Sequence, residues 1–217
     1  MSEVAPERPI ASDMQQLPTA TAHPVASAHP TSLGVDNRKL GMWALLGNET
    51  LFFTALITTY LIYKPVNAAR PDFQDPKEFL GIALTSVLAA ILLASSLTMV
   101  LSLAASKRKD WKMFKIWHIA TAVLGLCFVG GQIYEFIHLY SEGLTLSSSM
   151  FGTTFFVMTG FHGTHVFLGV IWLFAVLIKV LKTPDSPENP MDVEMVGLYW
   201  HFVDLVWVAI FTLIYLI

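Results

Sequence analysis

Residues 79–106 read FLGIALTSVLAAILLASSLTMVLSLAAS, and no ionisable side chain interrupts them from Phe79 to Ser106. Such a run exceeds the ~20 apolar residues that cross ~30 Å of hydrocarbon. Four further apolar segments lie around it, at about 39–63, 113–140, 150–181 and 193–217, and the quoted one extends over about 78–106. A backbone facing lipid must satisfy its own hydrogen bonds, so each segment is read as a helix. The expected fold class is therefore all-α: an integral membrane bundle of five transmembrane helices over residues 37–217.

The composition agrees. The chain of 217 residues is 54% hydrophobic and only 13% charged, where soluble domains carry about 25%. Its mean hydropathy is +0.59. A net charge of -3 gives no basic patch, so no nucleic-acid partner is expected. The single cysteine, Cys127, sits in an apolar run. That excludes a disulfide framework or a cysteine-pair metal site and leaves packing as its expected role.

Residues 1–36 differ from the rest. They hold Pro6, Pro9, Pro18, Pro24 and Pro30, five of the eleven prolines, and no sustained apolar run. Such a stretch cannot bury a core and is expected to be a disordered tail. It lacks the basic and apolar regions of a signal peptide. The His-Pro pairs at 23–24 and 29–30 are read as part of a solvated linker.

Lysine and arginine set the expected orientation. With the N-terminus cytoplasmic, the inside holds Arg8, Arg38, Lys39, Lys107, Arg108, Lys109, Lys112, Lys115, Lys179 and Lys182, and the outside holds Lys64, Arg70 and Lys77. Ten against three places the N-terminus inside and the C-terminus outside. Within the quoted segment Ser86, Ala90, Ala94, Thr98, Ser102 and Ser106 recur every four residues, a row read as a close helix–helix or subunit contact. The aromatic residues Trp43, Tyr63, Trp111, Trp117, Tyr140, Tyr199 and Trp200, at segment ends, fit an interfacial belt.

Ionisable residues inside the membrane are costly and mark functional hypotheses. Glu49 lies ten residues after Lys39, and Asp204 ten after Glu194. At 1.5 Å per residue both carboxyls sit roughly 15 Å deep. A carboxyl in apolar surroundings ionises at a cost, so at least one should stay protonated or bond a strong donor. Glu49 is read as the neutral one, because His201 lies one turn from Asp204. The two carboxyls are read either as proton-relay or lipid-headgroup groups, or as structural groups satisfied by a neighbouring helix. Gln132 with Glu135, His162 with His165, and His201 with Asp204 use the three-residue spacing that shares a helix face. The three imidazoles invite a metal or haem, yet hydrogen bonding between helices is the preferred reading. No metal site and no catalytic residue are expected. His118 and His138 lie near opposite interfaces and are read as solvated.

Two long motifs add a resemblance. The stretch FGTTFFVMTGFHGTHV at 151–166 and YWHFVDLVW at 199–207 resemble the signature of cytochrome c oxidase subunit III. Gln132, Tyr134 and Glu135, Glu49 followed by Phe52 and Phe53, and Glu194 seven residues before His201 resemble the same family. The likeness covers residues 39–217. It departs from the seven-helix mitochondrial type in lacking the first two helices, in Asn48 where the family often has Ser, and over 189–193, which lacks the usual aromatic residues. Five helices resemble some bacterial cytochrome c and quinol oxidases.

The resemblance implies a non-redox subunit of a proton-pumping haem-copper terminal oxidase in a bacterial plasma membrane. Haem and copper would sit in partner subunits. Subunit I would be the main contact, with subunit II, a small subunit IV, membrane lipids and, for the whole complex, cytochrome c as further partners. The chain itself would bind phospholipid and no cofactor, and would support stability and proton uptake. Glu49 and Asp204 would be its proton-related carboxyls; Gln132, Glu135, His162, His165, Glu194 and His201 would be structural or lipid-related polar groups. The alternatives are subunit III of a quinol oxidase or an accessory protein of a nitric oxide reductase. An independent transporter is the alternative of a different class. Against it, no internal repeat is seen and no proline lies inside a segment, which leaves Gly130-Gly131 as the one candidate break.

Overall fold

A computed structural model of the chain describes residues 36–68, 81–147, 150–184, 186 and 189–216. The tail expected to be disordered and the start of the second segment lie outside the described residues. Among those described, five helices are long and apolar enough to cross a membrane. They are α1 (Asn37–Ala68), α2 (Ile82–Lys107), α3 (Trp111–Ser141), α4 (Met150–Lys182) and α5 (Asn189–Phe211), and a π-helical turn, Thr212–Leu216, continues α5. Helix α1 runs further than the expected 63, through Pro65. The ring there removes one N–H near the helix end, which the helix tolerates.

Helices α2 to α5 form a ring. α2 packs on α3 and α5, and α4 packs on the same two. α1 stands outside it. In its most apolar stretch only 11% of residues are buried, against 50% in α5. It meets the ring through long side chains: Phe52 lies edge-on to Phe161, Phe53 to His162 and His165, and Tyr60 to Phe151.

The inward face of α2 carries Thr85, Leu88, Leu92, Ser95, Met99, Ser102 and Ser106, all buried. These positions alternate three and four residues apart, the 3.5-residue repeat of a left-handed bundle seam. The expected four-residue row drifts off this seam. Ser102 and Ser106 are buried, whereas Ser86, Ala90 and Ala94 are exposed. Tyr199 and Trp200, expected in the interfacial belt, are both buried because they lie ten residues or more inside α5, and Trp200 fills the ring centre. Gly125 of α3 and Gly169 of α4 make room for it, since a Cβ at either would come within 2.5 and 3.0 Å of the indole.

The turn from α2 to α3 is short. Lys109 takes φ 58, and Asp110 N–H reaches back to Ala105 O while Lys109 N–H bonds Ser106 O, both at 3.0 Å. This is the left-handed helix stop usually given to glycine. Asp110 then caps α3, accepting from Met113 N–H at 3.2 Å. Gly143, at φ 89, ends α3 in the same way. α3 runs unbroken through Gly130-Gly131; Gly131 receives the Leu88 side chain of α2, and Gly130 faces open space.

Candidate functional site: polar groups between the helices

The buried polar side chains join helices to one another. His118, expected to be solvated, is fully buried. Its Nδ1 pairs with Ser102 Oγ of α2 at 2.9 Å and its Nε2 with Leu173 O of α4 at 3.0 Å. The short α2–α3 turn starts α3 at Trp111 and so leaves His118 two turns inside the ring, away from the interface. His138 is half exposed and faces Glu142, as expected of an interfacial residue.

The two mid-membrane carboxyls have different surroundings. Glu49 Oε2 of α1 lies 3.2 Å from His165 Nε2 of α4, and His165 Nδ1 is bonded to Phe161 O at 2.7 Å. Asp204 is buried, and its Oδ1 has no hydrogen-bond partner among the described residues. His201 does not bond it directly; His201 Nδ1 pairs with Ser96 Oγ at 2.6 Å. The strong donor that the sequence placed beside Asp204 thus stands beside Glu49.

The other expected residues fall on separate ties. Gln132 donates through Nε2 to Thr159 O at 2.7 Å, and Gly163 gives it space. Glu135 Oε1 accepts from Thr85 Oγ1 at 2.7 Å and from Tyr215 OH at 3.0 Å, binding α2, α3 and the terminal turn together. His162 Nε2 bonds Val203 O at 3.1 Å and stacks on Trp207. Glu194 is not in the mid-membrane. It lies at the end carrying Lys39 and Lys107, 2.6 and 3.9 Å from their amines. Asp192 beside it pairs with Lys179 at 2.5 Å and Arg38 at 3.6 Å.

No group of three metal-ligating side chains forms among the described residues. The donor arrangement explains this: His118 and His165 use both ring nitrogens within the protein, and His162 and His201 each use one on a different helix. Residues that sequence reasoning missed are Ser96, Thr85, Tyr215 and the pair Ser95–Trp200, whose indole N–H donates to Ser95 Oγ at 3.0 Å. Reading hydroxyls along the 3.5-residue seam of α2 would have found Thr85 and Ser95.

Fold and site together define a class: a bundle of five helices long and apolar enough to cross a membrane, in which Glu49, Glu135, His118, His162 and His165 serve as contacts between helices. The family model for cytochrome c oxidase subunit III matches residues 26–217. A cytochrome c oxidase subunit 3 of Alkalihalophilus pseudofirmus is 39% identical over 194 residues, covering 87% of this chain and 92% of the relative. One of Bacillus sp. strain PS3 is 37% identical over 91% of this chain and 94% of its own. A quinol oxidase subunit 3 of Bacillus subtilis is 38% identical over 82% and 85%. The chain belongs to the cytochrome c oxidase subunit III family.

Proposed function

We propose that this chain is the non-redox third subunit of a bacterial cytochrome c oxidase. It supports assembly, holds phospholipid and sustains proton uptake, while haem and copper reside in subunits I and II. Subunit I is its main partner, subunit II and a small fourth subunit are further ones, and no catalytic residue lies in this chain. The carrying observation is that His118, His162, His165, Glu49 and Glu135 bond across to neighbouring helices, and no group of three metal-ligating side chains forms among the described residues. Charge supports a cytoplasmic N-terminus in the plasma membrane, because Arg38, Lys39, Lys107 and Lys179 gather around Asp192 and Glu194 at one end. A groove of about 450 Å³ at that end runs between α1, α4 and α5, with Met42, Leu45 and Trp172 along it and Arg38, Lys179 and their shared partner Asp192 at its rim. An acyl chain matches the apolar part, and a phospholipid headgroup, its phosphate on the cations and its own cation on Asp192, matches the rim.

The test is affinity purification through this chain in mild detergent. Haem and oxygen consumption with reduced cytochrome c are expected in the eluate, and the subunit stripped from the complex is expected to be colourless. Stoichiometric haem on the stripped subunit would overturn the reading. A quinol donor is the second reading, favoured by the 38% identity to the quinol oxidase relative. Turnover with quinol and none with cytochrome c would establish it.

A further inference from the structure

At the basic end a cavity of about 150 Å³ opens between α2 and α5, with Met99, Lys107, Glu194, Gly197 and His201 on its walls. Its mouth is charged, since Glu194 pairs there with Lys39 and Lys107. Its deep end is His201, whose Nδ1 meets Ser96 Oγ at 2.6 Å. Ser96 also stands beside the Asp204 carboxyl, one turn beyond His201. Asp204 is buried and its Oδ1 lacks a partner among the described residues. Gly197 keeps the cavity open, because a Cβ there would come within 3.2 Å of Met99 Cε.

The volume exceeds several times the ~30 Å³ share of one water, and polar groups stand at both ends, so the cavity is suited to hold water. A buried carboxyl with an unused oxygen deep in the membrane has a cost that structure alone does not repay. Toward the opposite end α5 itself offers no acidic or basic residue between Asp204 and Leu216, and the next carboxyl, Glu135 of α3, is taken up by Thr85 of α2 and Tyr215. Among the described residues the titratable or charged groups against these two helices include Lys39 of α1, Lys107 of α2, Glu194 and His201 of α5, His162 of α4, whose Nε2 is engaged by Val203 O, and, on α3, His118 bonded to Ser102 and Glu135 bonded to Thr85 and Tyr215.

We propose that the α2–α5 seam is a proton half-channel, open at the basic end and closed at Asp204. A hydrated proton enters past Glu194 and crosses the cavity water to His201 Nε2. The imidazole passes its Nδ1 proton to Ser96, and the Ser96 hydroxyl proton moves to Asp204, so one proton is taken up and one is held. This deepens the reading of the subunit as a support of proton uptake, and rests on it only for the use made of the stored proton.

The test is infrared difference spectroscopy of the intact complex on transfer from H2O to D2O. A protonated-carboxyl C=O band is expected that Asp204→Asn removes and Glu49→Gln leaves in place. Gly197→Val, which fills the cavity against Met99, and His201→Phe are expected to slow the deuterium shift of that band about tenfold or more. Absence of the band, or wild-type exchange in both variants, overturns the half-channel. If neither variant assembles, Met99→Cys on a Cys127→Ser background replaces them. Labelling by a membrane-impermeant thiol reagent from the Lys107 side alone supports the cavity's opening, and no labelling overturns it. Slowed exchange with unchanged oxygen consumption would keep the half-channel and remove the proton-uptake role.

Discussion

Same-face spacing within a helix located the polar residues here but not their partners. His162 and His165 are three apart, yet His162 turns to a carbonyl of α5 and His165 to Glu49 of α1. Three residues advance a helix by about 300°, enough to aim neighbours on one face at two different helices. Glu49 was legible as a deep carboxyl, whereas its partner lies 116 residues away in sequence and no local pattern announces it. The pair is a weak tie of the kind common between membrane helices. Glu49→Gln, His165→Leu and the double variant, followed by reversible unfolding in mixed micelles, are expected to give a coupling of about 0.6–1.7 kcal/mol. Strictly additive losses would show that the contact contributes nothing.

Among the elements, the existence of all five helices followed from length and hydropathy alone, because the membrane leaves the backbone no other option. Faces were less legible. With lipid on one side and apolar packing on the other, a membrane helix has little amphipathic contrast, so the four-residue row of α2 looked as good as the true 3.5-residue seam. Glycines report the packing better. Gly125→Ala would press on Trp200, and overpacking of this kind costs about 1–3 kcal/mol. Gly130→Ala on the same helix meets nothing within 4 Å and is expected to be neutral or to gain up to about 1 kcal/mol from helix propensity. Thermal unfolding followed by tryptophan fluorescence separates the two, and equal melting temperatures would refute the role given to the Gly125 gap.

For the whole molecule, the ring of α2 to α5 is held by its interior, while α1 is fastened at intervals. Arg38 and Lys39 reach Asp192 and Glu194 at the basic end, Glu49 reaches His165 midway, and Tyr60 meets Phe151 further along. The charged fastening is partly exposed, so each pair contributes only about 0.2–1 kcal/mol. Asp192 and Glu194 both start α5, and together they engage cations from α1, α2 and α4. Neutralising them should therefore free the basic end of α1 without unfolding the ring. The expected outcome for Asp192→Asn with Glu194→Gln is a broader distance distribution between spin labels at Leu45 and Leu181, measured by pulsed dipolar spectroscopy on a Cys127→Ser background. Salt at 1 M, where screening acts over about 3 Å, should produce part of the same broadening in the unsubstituted pair. Lys109→Ala, which touches neither carboxylate, should leave the distribution narrow. If the double substitution left it narrow as well, the apolar contacts of Phe52, Phe53 and Tyr60 would suffice to hold α1, and the four cations would serve orientation in the membrane alone.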